Sequence, residues 1–173
     1  MRKPTHADAE LLLRLYEIRR DPELRRARAW FLTEFKPSGW SEIRARYLSH
    51  SEEDRFFRMT VSYWELVATL VNREVLHPEL FFDHTGEDIV TWERCTPWLA
   101  EARADIRATY LYQLERMVEA HQAFRTRTIA AFRADRSARP NGDVSRSAGS
   151  RGARATHPAP TRRGAPRRAR ARR

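Results

Sequence analysis

Apolar residues recur at helical spacing over most of the first 133 residues. Leu11, Leu15 and Ile18 fall on one face with Leu12 and Tyr16 beside it, and Thr5 with Asp8 three residues on is a helix-start pair, so a first helix is predicted over about residues 6–20. Asp21-Pro22-Glu23 sets a capping carboxylate before a first-turn proline, and Leu24, Ala27, Phe31 and Phe35 continue the period. Lys36-Pro37 ends that second helix, because the residue before a proline is pushed out of the helical region. After a Ser38-Gly39 turn, Trp40, Ile43 and Tyr47 line a short third helix. Ser51 followed by Glu52, Glu53 and Asp54 opens a long fourth one, with acids at the positive end of the helix dipole. It is predicted to reach Leu76. Phe56, Met59, Tyr63, Trp64, Val67, Leu70, Val71 and Val75 cover more than half of its circumference, which makes it the central helix.

His77-Pro78 stops the central helix, and a connector with Leu80, Phe81 and Phe82 leads to Gly86. A short helix follows from Glu87 to about Arg94. Thr96-Pro97 then restarts the chain with a cap and an N1 proline. One stripe through Leu99, Ile106, Tyr110, Leu114, Met117, Val118, Phe124 and Phe132 implies a final helix reaching about residue 133. No run alternates with period two over five residues or more, so no sheet is expected, and no repeat of fixed period appears. The expected fold is all-α: an antiparallel helical bundle of five to six helices over residues 1–133, followed by a disordered C-terminal tail over 134–173. That tail has Val144 as its only large apolar residue and no aromatic, so it has nothing with which to build a core.

Charge divides at the same place. The formal net charge of the chain is +10. Residues 134–173 hold 12 Arg against Asp135 and Asp143 and carry all of it, while residues 1–133 balance to zero. Inferences from basicity therefore belong to the tail, where Arg162, Arg163, Arg167, Arg168, Arg170, Arg172 and Arg173 are concentrated. Such a segment attracts nucleic acid and other polyanions through phosphate contacts, without selectivity because it has no aromatic stacking platform. A compositional appendage is the alternative. The single cysteine, Cys95, gives no internal disulfide, and Leu11 to Leu13 is too short an apolar run for a signal peptide. The expected localisation is cytoplasmic, with no membrane span.

Few constellations invite chemistry. Glu74-Val75-Leu76-His77 has the spacing of a di-iron bundle ligand pair, but it lacks a second copy and Pro78 ends the helix at the histidine. No metal or cofactor is expected. Asp83 to Asp88 lacks the alternating acids of a calcium loop. The absence of a glycine-rich phosphate loop and of a nucleophile beside a base argues against an enzyme. Three ionisable residues break the apolar stripes instead. Glu74 stands 18 positions after Phe56 and points with the middle of the central arc. Arg103 and His121 point along the middle of the last stripe. Glu74 and Arg103 are expected to meet as a buried polar pair, either a structural salt bridge or the anchor of a polar pocket, since an unpaired buried charge is costly. His121 is expected to be a hydrogen-bonded core histidine. Trp30 lies off the face of its own helix, which suits either packing on a neighbouring element or a partner interface.

The order Tyr63-Trp64-Glu65-Leu66, His77-Pro78-Glu79, Trp92, then Thr96-Pro97-Trp98 with Arg103 beyond, resembles an uncharacterised bacterial all-helical family, a domain of unknown function, over about residues 8–125. The resemblance implies a helical domain and brings no catalytic residue with it. The functional expectation is a protein-interaction or scaffold module with an unknown protein partner; the alternative is non-specific polyanion binding through the tail.

Overall fold

Most helices begin where a side chain accepts the free N–H groups of the first turn. In the computed structural model, which describes residues 2–138, Thr5 and Asp8 form a reciprocal capping box at the start of α1 (His6–Arg19). The Asp21 carboxylate accepts from the Glu23 and Leu24 amides to open α2 (Pro22–Thr33). A single turn, α3 (Trp40–Glu42), runs on into a π-helical turn over Ile43–Tyr47. Ser51 caps the central helix, α4 (Glu52–Asn72). The imidazole of His77 accepts from the Leu80 amide to cap α5 (Pro78–Phe82), a short helix within the predicted connector. The long helices α6 (Glu87–Asp105) and α7 (Tyr112–Ala138) complete the set. Seven helices and no strand are present among the described residues, against five to six expected.

The core is an aromatic knot around α4, which packs most extensively on α2. Phe31 stacks on Phe35 with ring centres 4.7 Å apart, and Trp98 of α6 touches Phe35, Phe57 and Trp40. Each buried aromatic of this kind stabilises by about 2–3 kcal/mol from area alone. Trp30 is part of this knot. It is 8% exposed and contacts Phe35, Tyr47 and Phe56, so it packs on neighbouring elements and is not available as an exposed interface anchor.

Three departures from the predicted punctuation matter for function. First, α4 stops at Asn72 and not at Leu76. Glu74 adopts a left-handed conformation with φ 56°; its amide bonds to the Val71 carbonyl and that of Val75 to Leu70, the paired closure of a helix C-terminus that glycine usually makes. Glu74 and Val75 therefore turn outward, while Leu76 and His77 are buried.

Second, Pro97 lies inside α6 and does not start a helix. An interior proline costs about 3 kcal/mol, but here it sits on the exposed side between Cys95 and Trp98, both buried, and the packing of Cys95, Trp98, Leu99 and Ala102 carries the helix through. Third, the chain breaks at residues 106–111, a stretch without glycine or proline. The amides of Gln113 and Leu114, at the start of α7, donate to the Glu65 carboxylate at 3.1 and 2.9 Å, so α7 is capped by a side chain from α4. Ile106 falls in the break and is exposed, as is Phe132 further along α7. α7 extends past residue 133 to Ala138. The expected tail beyond it, including Arg162 to Arg173, lies outside the described residues.

Candidate functional site

Near the bundle's α5–α6 turn, α6 and α7 bury three polar side chains, Asp88, Thr91 and His121, beside Phe82 of α5. Asp88, in the first turn of α6, and His121, on the inner face of α7, are both completely buried, and His121 Nδ1 lies 2.7 Å from Asp88 Oδ2. A carboxylate only accepts, so it fixes the Nδ1–H form of the ring and leaves Nε2 facing away from the acid. Phe82 of α5 stacks on the imidazole with centres 4.5 Å apart and planes within 12°. Three polar atoms here have no protein partner: His121 Nε2, Asp88 Oδ1 and Thr91 Oγ1. Buried polar atoms are nearly always paired, so such a cluster marks a place where something beyond packing is specified.

Above His121 the residues of the α5–α6 turn and the next two turns of α7 enclose a cleft of about 440 Å³. Phe124, His84, Asp83, Arg125 and Thr128 line it, with the buried His121 ring beneath the surface. A Cβ placed on Gly86 would lie 3.7 Å from Arg125 Nη1, which puts the guanidinium over the start of α6. Arg125 has no ion pair among the described residues, and the ring of His84 rests edge-on against Tyr16 at 5.6 Å. A larger cleft of about 690 Å³ at the start of α4 differs in kind. Its Arg55 and Arg58 are already paired, with Glu23 and Glu52 and with Asp54.

Beside the cleft the turn is locked by charge. Glu87 accepts two hydrogen bonds from Arg28, one from Nε at 2.5 Å, and a third from Arg19 Nη2 at 2.5 Å. Burial pushes the Glu87 carboxyl up, but the Arg28 and Arg19 guanidiniums more than reverse this and hold it below the usual carboxylate range. α1, α2 and α6 are thereby tied at one point. A second clasp joins the start of the chain to the α4–α5 turn. Arg2 binds Asp8 with two hydrogen bonds at 2.5 and 2.6 Å, and the His77 amide donates to Asp8 at 2.8 Å. His77 Nε2 donates to the Arg2 carbonyl at 2.6 Å. Arg2 and then Thr5 hold the Asp8 carboxyl far below its ordinary range.

The residues singled out from sequence are distributed differently from expectation. Glu74 and Arg103 do not meet. Glu74 is exposed because the left-handed turn carries it off the arc of α4, and Arg103 bonds to Glu115 at 2.7 Å and to the Tyr110 carbonyl at 3.0 Å, holding the 106–111 break. His121 lies in the core beside Asp88. Trp30 lies in the aromatic knot, and the Arg-rich cluster is outside the described residues. Sequence reasoning missed Asp88, Glu87 and Glu65 as partners. Asp88 and Glu87 read as ordinary first-turn acids, and the one signal pointing to Glu65 was a lone charge in the stretch between Arg58 and Arg73. Cys95 is fully buried and its burial pushes the thiol well up, which makes it unreactive.

No group of three or more His, Cys, Asp or Glu side chains among the described residues is placed to hold a metal ion, and no helix among them is long and apolar enough to cross a membrane. The fold is that of an all-helical bundle with one buried Asp-His pair under a cleft. The chain belongs to the family described as Domain of unknown function (DUF4760), which matches residues 4–121. The match ends at His121, the last buried residue of α7. No curated protein and no solved structure matches the chain.

Proposed function

We propose that the protein is a helical interaction module and that the second half of α7 docks an acidic protein partner. The observation that carries this is the continuation of α7 for seventeen residues past His121, about 25 Å of helix, with Phe124 half-covered and no residue buried. Isolated helices of that length are marginal in water, and this one keeps Phe132 60% and Ile129 44% exposed. Arg125, Ile129, Phe132 and Arg136 follow at spacings of four, three and four and so share one face. Arg136 lies over the Phe132 ring at 5.8 Å. Residues 122–138 hold four Arg against Asp135, so the charge disfavours a second copy of the same helix and suits a partner with an acidic rim around an apolar strip.

The test compares the full chain with its Phe132→Ser and Arg136→Glu variants as bait in host extract. An acidic protein retained by the parent and lost by both variants, while the melting temperature is unchanged, supports the assignment. The same proteins retained by all three contradict it. Polyanion binding by the tail is a second reading, favoured by the +10 charge carried on residues 134–173. It would show as DNA binding that weakens steeply with salt, is indifferent to both α7 variants and is lost on cutting after Ala138.

A further inference from the structure

We infer that the cleft between α7 and the α5–α6 turn is the pocket that receives the partner's anchor, an uncharged aromatic side chain with an N–H or O–H at its edge, a tryptophan or a tyrosine. Such an anchor rests on the partner surface proposed for α7 and names what that surface grips.

Three observations converge on it. The first is continuity. Arg125 and Ile129, the first two residues of the α7 partner face, also line the cleft, together with Phe124 and Thr128. A partner lying along Phe132 and Arg136 therefore reaches the cleft without leaving the helix. The second is the lining. Phe124 is half-covered and tilts against Phe82 with ring centres 5.6 Å apart, His84 rests edge-on against Tyr16, and Ile129 is 44% exposed. Rings set at such angles receive another ring edge-on or offset, and the residues that carry most interface energy are large aromatics seated in pockets of this kind. The volume of about 440 Å³ leaves room for the stretch of backbone that carries the ring.

The third observation is the charge, which decides what enters. Arg125 shares the cleft with Asp83, and Glu87 and Asp88 occupy the first turn of α6, so a carboxylate gains nothing there. The Asp83 carboxylate has neither a hydrogen bond nor an ion pair among the described residues. It accepts only, and therefore suits the N–H of an indole or the O–H of a phenol at the cleft mouth. The acids of the partner belong further along α7, where Arg136 stands about 12 Å of helix beyond Thr128. One partner segment thus carries an aromatic anchor at one end, an apolar strip over Phe132 and acids at the other.

The probe is N-acetyltryptophanamide, titrated into the full chain and followed by amide resonances, with N-acetylleucinamide as the control. Saturable shifts centred on Gly86, Thr128 and Ile129 are expected, with the leucine probe about fivefold weaker. Thr128→Trp, which sets a ring of the chain's own at the cleft, should block the tryptophan probe, and Asp83→Ala should weaken it about threefold. Both positions are exposed, so neither change threatens the fold. Phe132→Ser and Arg136→Glu should bind the probe like the parent, since neither residue lines the cleft. Shifts that do not saturate, a leucine probe that binds as well, undiminished binding by Thr128→Trp or Asp83→Ala, or loss of binding in the two α7 variants would each overturn the anchor. In host extract, the acidic protein held by the parent and lost by Phe132→Ser should also be lost by Thr128→Trp. If Thr128→Trp retains it, the α7 surface stands and the anchor falls; if the parent holds no such protein, or the α7 variants retain it too, both fall.

Discussion

Replacing Glu87 by Gln keeps the size and one acceptor oxygen of the residue that ties α1, α2 and α6 together, and removes its charge. Three charge-assisted hydrogen bonds converge on that carboxylate, each worth about 1.5–3 kcal/mol when measured singly. They are not additive, since one acid serves two guanidiniums. The relevant comparison is a mostly buried ion pair that loses one partner, about 3–5 kcal/mol. Arg19 and Arg28 keep 21% and 14% of their side-chain surface in water and recover part of this, which brings the expected cost to about 3 kcal/mol. With about 2.1 cal/mol/K of unfolding entropy per residue, a folded part of this size loses about 10 °C of melting temperature for that cost. The sign with pH follows from the lowered Glu87 carboxyl. Its contribution is fully present above the unfolded value, about pH 4.3, and is lost as pH falls through the lower folded value. Thermal unfolding of parent and Glu87→Gln should therefore differ by about 10 °C at pH 7 and converge in acid. A variant that melts within 1 °C of the parent, or a gap that is constant with pH, would refute the reasoning.

The other expectations concern backbone and core. Glu74→Gly should raise stability by about 0.5–1 kcal/mol, because the residue holds φ 56° at a helix end where glycine is unstrained; a lower melting temperature would show that its side chain has a role in the fold. Glu65→Ala should cost about 1–2 kcal/mol, as other helix caps do, and should speed hydrogen exchange at the Gln113 and Leu114 amides. Unchanged exchange there would contradict the capping role. Asp88→Ala should cost about 2–3 kcal/mol by stranding a fully buried imidazole, and calorimetry showing no loss would mean that the pair is not a structural unit.

The elements readable in advance were those that punctuate themselves. Thr5, Asp21 and Ser51 start helices from within their own few residues, and the apolar period along α4 reported a helix buried on most of its circumference. What escaped was controlled from a distance or by competing packing. Nothing between Asp105 and Tyr112 announces a break, because the cap that starts α7 arrives from Glu65 and the break itself is held by Arg103 and Glu115. Thr96-Pro97 carries the local marks of a helix start, yet Cys95 and Trp98 on either side are buried together and keep α6 continuous. The expected Glu74–Arg103 pair failed for a related reason. Its phase assumed four more helical residues than α4 has, and a non-glycine in a left-handed closure is a local exception. His121 was legible as an ionisable residue in an apolar stripe, but Asp88, 33 positions earlier, was hidden among the first-turn acids of α6.

The central claim, that the second half of α7 is a partner surface, is tested most directly by placing a photo-crosslinking residue at Phe132 of the full chain in the host, with Leu13 on α1, 64% exposed, as the control position. A discrete adduct is expected from position 132 with an identifiable acidic protein, absent from position 13 and lost when Arg136→Glu is added. No protein adduct at 132, the same adducts at both positions, or an adduct that survives the charge reversal would contradict it.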